Sequence, residues 1–323
     1  MLLSQLKKRY QRWRIAQNTR EQEYRPPQFS TGFNADGVRY YCEGEPSNDA
    51  PVTVVFVHGY TLTATSWHLQ IASLAHQVSC VAMDLRGHGK SEVIPVSECS
   101  IDGAADDVML VIDDAEITGP IILVGHSMGG MVILNLLRRY PQLRSRCAGI
   151  ALISTSARPF AHSGLSQVLQ LPIVDDIRSI ARAAAEETDY VREVLQTTLV
   201  PLLSNLAIVT RSTEETRKHH IKMIDGTPIE TLVGFLDDLE THDESEALKY
   251  IRDIPTRIMV GDKDDFTPES QSSFMLSQLT KGRLVVVPDV GHMLPMENPG
   301  IVNAEIADLI AQVIEDNHHS RNR

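Results

Sequence analysis

No stretch of this sequence reaches the roughly 18 uncharged apolar residues that a membrane-spanning helix needs, so no segment is expected to cross a bilayer. Positive charge is in short supply. Thirty Lys and Arg face 42 Asp and Glu, for a formal net charge of -12. A surface that acidic repels phosphate backbones, which excludes duplex nucleic acid as a general partner. Cysteine is scarce as well: Cys42, Cys80, Cys99 and Cys147 form no CxxC pair, and no Cys/His group has zinc-ligand spacing. Cys42 and Cys80 lie in apolar runs and read as small buried thiols, and with no disulfide framework the usage fits a reducing, cytoplasmic compartment. No internal repeat or low-complexity segment occurs apart from a polar tail at 316–323. What remains is an ordinary folded composition, 42% hydrophobic and 22% charged. Its 323 residues suit two domains of common size, or one large domain with an insertion.

Residues 1–20 concentrate the positive charge in Lys7, Lys8, Arg9, Arg12, Arg14 and Arg20, with no acidic residue among them. Leu3, Leu6, Tyr10 and Trp13 recur at three- and four-residue spacing, which predicts a helix with one apolar face. The charges follow the leucines and no small-residue cleavage site is present, so the segment does not read as a secretory signal. A basic amphipathic helix has two expected uses. It lies on an anionic membrane surface as a peripheral contact, or it docks on the acidic body or on a second subunit of a homo-oligomer. Pro26 and Pro27 end it and set the first boundary at residue 27.

Residues 29–34 and 38–43 flank Ala35-Asp36-Gly37, and an Asp-Gly pair signals a hairpin. After that, short apolar, β-branched runs at 52–57, 80–83, 121–125, 149–153, 256–260 and 284–287 alternate with helical stretches. Strands buried on both faces read in this way. The expected fold class is therefore α/β, a mostly parallel twisted sheet flanked by helices. Residues 156–249 break the rhythm. They contain no convincing strand and read as several helices, for example over 174–185, 191–203 and 228–239. That is too long for a strand-to-helix connection, so a helical insertion is expected within a core of 28–155 and 250–323.

Ile121 to Gly130 contains Gly-x-Ser-x-Gly as Gly125, Ser127 and Gly129. A chain of this length holds roughly 0.1 such matches by chance. Here a buried strand precedes the match, and a helical pattern through Met131, Leu134 and Leu137 follows it, stopped at Pro141. On a sharp strand-to-helix turn, a side chain at either glycine would collide with the crowded backbone. The turn would lift the serine hydroxyl above the sheet edge at a helix N-terminus, where the Met128 N–H can stabilise negative charge. The plain alternative is a glycine-rich turn that merely packs closely.

A serine hydroxyl needs a base within reach. Among twelve histidines, His292 stands apart because it follows the last apolar run, in a loop that can cross the sheet's carboxyl edge. His219, His220, His318 and His319 sit among polar neighbours and are expected to be solvated, while His76 and His242 carry no supporting context. The base needs a carboxylate. Asp264 is favoured, with Asp265 and Asp262 as fallbacks just after the run at 256–260; Ser154-Thr155-Ser156 offers no acid at the other available position. A second oxyanion donor is expected from Tyr60, whose backbone N–H follows His58-Gly59; His58 is expected to hold that loop. Serine, acid and histidine thus follow strands in that chain order, at the edge where open α/β sheets bind ligands.

Together, His58-Gly59, the run Asp84 to Ser91, Gly125 to Gly130, Gly261 through Pro268, and Gly291-His292 resemble the α/β-hydrolase fold superfamily, over about residues 29 to 314. The resemblance implies that 156–249 is a cap that roofs the site and decides the substrate. A serine at 127 is unlike the epoxide hydrolases and haloalkane dehalogenases of that fold, which use Asp there. Carboxylesterases, monoacylglycerol-type lipases, carbon–carbon bond hydrolases, cofactor-free perhydrolases and acyltransferases remain, and fold alone does not choose among them. The expectation is a serine hydrolase of small-molecule carboxylic esters with an apolar acyl or monoacylglycerol-like substrate, lined by Leu62 and Trp67, with no metal or organic cofactor. A ligand-binding module on the same scaffold is the non-enzymatic alternative.

Overall fold

The computed structural model describes residues 29, 32–44, 52–159 and 212–321. The expected N-terminal helix over 1–27 and the helices over 174–185 and 191–203 lie outside the described residues. Eight strands form one sheet: β1 (Gly32–Ala35), β2 (Val38–Glu43), β3 (Thr53–Val57), β4 (Ser79–Met83), β5 (Ile121–His126), β6 (Cys147–Ile153), β7 (Thr256–Gly261) and β8 (Gly282–Val287). Their order is β1-β2-β4-β3-β5-β6-β7-β8. All pairs from β4 to β8 are parallel, and β2 is antiparallel to both of its neighbours. This is the mostly parallel sheet that the apolar runs predict. The hairpin between β1 and β2 turns at Asp36 and Gly37, both with positive φ (45° and 88°). Two successive left-handed residues match the twist of the flanking strands, and this is what an Asp-Gly pair supplies cheaply.

Alternation along the strands divides the core in two. Val55 and Val57 face one side and Val54 and Phe56 the other, and all four are fully buried. The first side is covered by α2 (Ile101–Asp114) and α3 (Met128–Arg139), the second by α1 (His68–Leu74) and α5 (Pro299–Arg321). Ser100 caps α2 by accepting the Gly103 N–H at 3.0 Å.

The described part of the break between β6 and β7 contains no strand. It contains α4 (Glu214–Asp225) and short helices at Ile229–Gly234, Leu236–Thr241 and Ala247–Ile251. Thr213 caps α4 by accepting the Thr216 N–H at 3.1 Å, and Glu214 and Glu215 complement the positive end of the helix. The single helix expected over 228–239 is two helices that meet at Phe235. The Phe235 ring at the junction is fully buried and packs against His88 at 5.5 Å between centroids. Glu244 anchors the end of the insertion to α3, accepting from Arg138 at 2.6 and 2.8 Å and from Asn135 at 2.7 Å. Among the described residues, no helix is long and apolar enough to cross a membrane. All four cysteines are free; Cys80, Cys99 and Cys147 are buried and Cys42 is partly so.

Candidate active site

The parallel register brings the carboxyl ends of the strands to one rim. Gly125 pairs with Val57 on one side and with Leu152 on the other, and Gly261 pairs with Val287. The loops carrying Gly59, Ser127, Asp264 and His292 all leave the sheet at that rim.

Ser127 lies between β5 and α3 with φ 53° and ψ -121°, a backbone conformation that L-residues rarely adopt. The two glycines make this turn sterically feasible. A Cβ on Gly125 would stand 2.6 Å from the Gly129 carbonyl oxygen, and one on Gly129 would collide with the Val57 carbonyl. The strained turn presents the serine hydroxyl to a loop from the far end of the chain: Ser127 Oγ lies 2.9 Å from His292 Nε2. On the other side of that ring, Nδ1 is 3.0 and 3.1 Å from the two oxygens of Asp264. With Nδ1–H donating to the carboxylate, Nε2 is left as the acceptor for the serine O–H.

Asp264 is held from every side. Its Oδ1 accepts the N–H groups of Phe266 (3.0 Å) and Thr267 (2.8 Å), and its Oδ2 accepts the Thr267 hydroxyl at 2.7 Å. Burial alone would raise its pKa. The His292 ring and the Thr267 donors outweigh burial and hold the carboxyl below its ordinary value, so it stays ionised. The two fallbacks are elsewhere. Asp262 accepts the Asp289 N–H at 2.7 Å and pairs with Lys263 at 3.2 Å on the surface, and Asp265 is exposed.

Met128 opens α3, so its N–H is one of those that an α-helix leaves without an intrahelical acceptor. The Gly59–Leu62 loop is pinned by two neutral imidazoles. His58 donates from Nδ1 to the Gly59 carbonyl at 2.7 Å and accepts the Leu85 N–H on Nε2 at 2.9 Å. His88 accepts the Thr61 N–H at 3.2 Å and donates to the Arg86 carbonyl at 2.9 Å. Burial first, then the neighbouring His88, pushes the His58 pKa well down; burial takes His88 to about 4. The Tyr60 hydroxyl donates to the Leu232 carbonyl at 2.5 Å, which ties this loop to the insertion.

Leu62 and Trp67, expected to line a substrate pocket, are packing residues. Leu62 is 2% exposed in the cluster that contains Met128 and Phe235. Trp67 is fully enclosed, with its ring centroid 5.3 Å from Phe56 and 6.4 Å from His126. It belongs to the opposite core cluster, because its short helix folds down against the second face of the sheet.

Three neighbours escape the sequence reading. Thr267 serves Asp264, as above. His126, inside the serine motif, donates from Nε2 to the backbone carbonyl of His292 at 2.8 Å and so fixes the loop of the base. Burial, then the adjacent His292, takes its pKa to about 3, so it stays uncharged beside that ring. Glu297 accepts the Gly291 N–H at 3.1 Å and the Ser212 hydroxyl at 3.0 Å, joining the histidine loop to the start of α4. His219 and His220, expected to be solvated, are each 3% exposed. They lie on the inner face of α4 with Met223 and Ile224, and the lysines that made the segment look polar, Lys218 and Lys222, lie on other faces. Among the described residues, no group of three or more His, Cys, Asp or Glu side chains is placed to hold a metal ion.

A sequence model described as the alpha/beta hydrolase fold matches residues 52–299. A dihydrolipoyllysine-residue acetyltransferase component of an acetoin cleaving system from Pseudomonas putida is 28% identical over 81% of this chain; the match spans 64% of that protein. A pimeloyl-[acyl-carrier protein] methyl ester esterase from Neisseria meningitidis serogroup B is 27% identical over 79% of this chain and 91% of its own length. Among solved structures, a thermophilic esterase from Thermogutta terrifontis aligns with a TM-score of 0.69 at 27% identity, covering 88% of this chain and 97% of that one.

Proposed function

The chain belongs to the alpha/beta hydrolase fold family, and we propose that within it this protein is a serine hydrolase of carboxylic esters. One observation carries the reading: Ser127 Oγ lies 2.9 Å from His292 Nε2, and that ring's Nδ1 lies 3.0 Å from a buried Asp264 oxygen. As the Ser127 oxygen attacks the ester carbonyl, its proton passes to His292 Nε2. Asp264 steadies the resulting imidazolium. The oxyanion is taken by the N–H groups of Tyr60 and Met128. His292 returns the proton to the departing alkoxide, leaving Ser127 acylated. Water then gives a proton to His292 and attacks the acyl carbon, and the collapse releases the acid and restores the serine O–H.

The esterase names among the relatives support carboxylic esters as the substrate class. The insertion over 156–249 is the cap of this site, supported by the ties from Tyr60 to Leu232 and from Ser212 to Glu297. Its leucine content supports an apolar acyl group or a monoacylglycerol-like ester. The test is a panel of p-nitrophenyl esters of graded acyl length beside monoacylglycerols. Saturable turnover that peaks at one chain length is the expected result. No turnover on any ester by folded protein would leave the scaffold as a ligand-binding module.

A further inference from the structure

His220 is a polar group without an evident purpose. It is 3% exposed, and its Nδ1 is buried with no hydrogen-bond partner. An unsatisfied buried donor or acceptor is unfavourable, and native structures rarely keep one without a reason. Its neighbour His219 is engaged through Nε2, which lies 3.3 Å from both the backbone carbonyl and the hydroxyl of Thr65.

The helix that carries His220 is fixed across the rim. At one end, Ser212 reaches Glu297, which holds the Gly291 N–H beside His292. Along its length, His219 and Met223 contact Thr65. At the other end, the Thr227 hydroxyl, which donates to the Met223 carbonyl at 3.0 Å, lies 3.4 Å from the Thr61 carbonyl. The helix therefore runs between the loop of the base and the loop after β3. His220 is one turn from Ile224, which packs in the same cluster as Leu62 and Met128. The imidazoles of His292 and His126 are close enough to act on His220 electrostatically, adding to the burial that keeps it neutral.

We propose that His220 is a specificity-determining residue of this site, whose imidazole hydrogen-bonds a hydroxyl group carried by the ester close to its scissile carbonyl. The inference rests on the serine-hydrolase reading and deepens it. A neutral imidazole offers one donor and one acceptor, and a hydroxyl satisfies either. A carboxylate or ammonium group is a poorer match, because His220 supplies no charge to pair with it.

The test compares two matched substrate pairs. Glycerol monobutyrate beside propyl butyrate places the hydroxyl on the alcohol side; methyl 3-hydroxybutyrate beside methyl butyrate places it on the acyl side. In one pair, His220→Phe is expected to lower kcat/KM for the hydroxylated member at least about tenfold while the plain member changes less than about threefold. His220→Gln, which keeps a donor and an acceptor, restores much of the difference. His220→Leu repeats the Phe comparison with a smaller side chain. A fluorophosphonate probe, applied to every variant, reports whether the reactive serine is intact. Labelled variants that lose both members of each pair in parallel, or lose neither, overturn the role of His220 and leave the hydrolase reading standing. Wild-type protein that is not labelled overturns the hydrolase reading and this assignment with it.

Discussion

Ser127→Ala is expected to lower kcat by at least about 10⁴-fold with little change in melting temperature. The serine oxygen is the only protein atom that bonds to the acyl carbon in the proposed mechanism, so its removal leaves only the oxyanion donors and binding. The fold should not suffer, because Ala and Ser tolerate φ 53°, ψ -121° about equally badly. A companion variant separates chemistry from strain. Ser127→Gly is equally inactive, but glycine adopts positive φ without a Cβ clash, so it should be more stable than Ser127→Ala by about 1 kcal/mol. Chemical denaturation of the two variants measures this. Equal stability would mean that the turn stores no strain, and a Ser127→Ala enzyme with near-normal turnover would reject the nucleophile.

Acid should weaken this protein well above the carboxylate range. His88 and His219 are held down to about 4, and His126 and His220 to about 3, in each case chiefly by burial. All four are neutral in the folded chain at pH 5, whereas in the unfolded chain each titrates near its ordinary value of about 6.5. Between those values the unfolded state binds more protons, so stability falls as pH falls. At pH 5 each imidazole removes about 2 kcal/mol relative to neutral pH. Even half of the combined effect is large against a total stability of about 5–15 kcal/mol. Asp264 does not offset this. Its lowered pKa contributes stability that is present above the ordinary carboxylate value and lost only below it. The urea midpoint should therefore drop steeply between pH 7 and pH 5. A flat midpoint over that interval would show that these rings are hydrated or readily protonated in the folded state.

The parts of this molecule legible in its sequence are those set by local backbone chemistry. Apolar runs such as Val54 to Val57 read as strands covered on both faces, and Asp36-Gly37 reads as a tight turn. Gly125 and Gly129 announce the crowded turn around Ser127 because no other residue fits there. The sequence favours Asp264 over Asp265 and Asp262 without supplying the physical reason. All three follow β7, and only the fold shows that Asp264 alone turns inward to two backbone N–H groups and the Thr267 hydroxyl. Trp67 was misread because closeness to the His58-Gly59 motif along the chain says nothing about which side of the sheet a side chain covers. His219 and His220 were misread from their polar neighbours, although Met223 and Ile224 at i+4 carried the signal for a buried helical face.

In the proposed chemistry one serine, made nucleophilic by His292, does the bond-breaking work. Intact-mass spectrometry with peptide mapping after fluorophosphonate treatment tests it most directly. A single adduct is expected, located on Ser127, that forms far more slowly in His292→Ala. A folded protein that takes up no adduct, or takes it up on another residue, would contradict it.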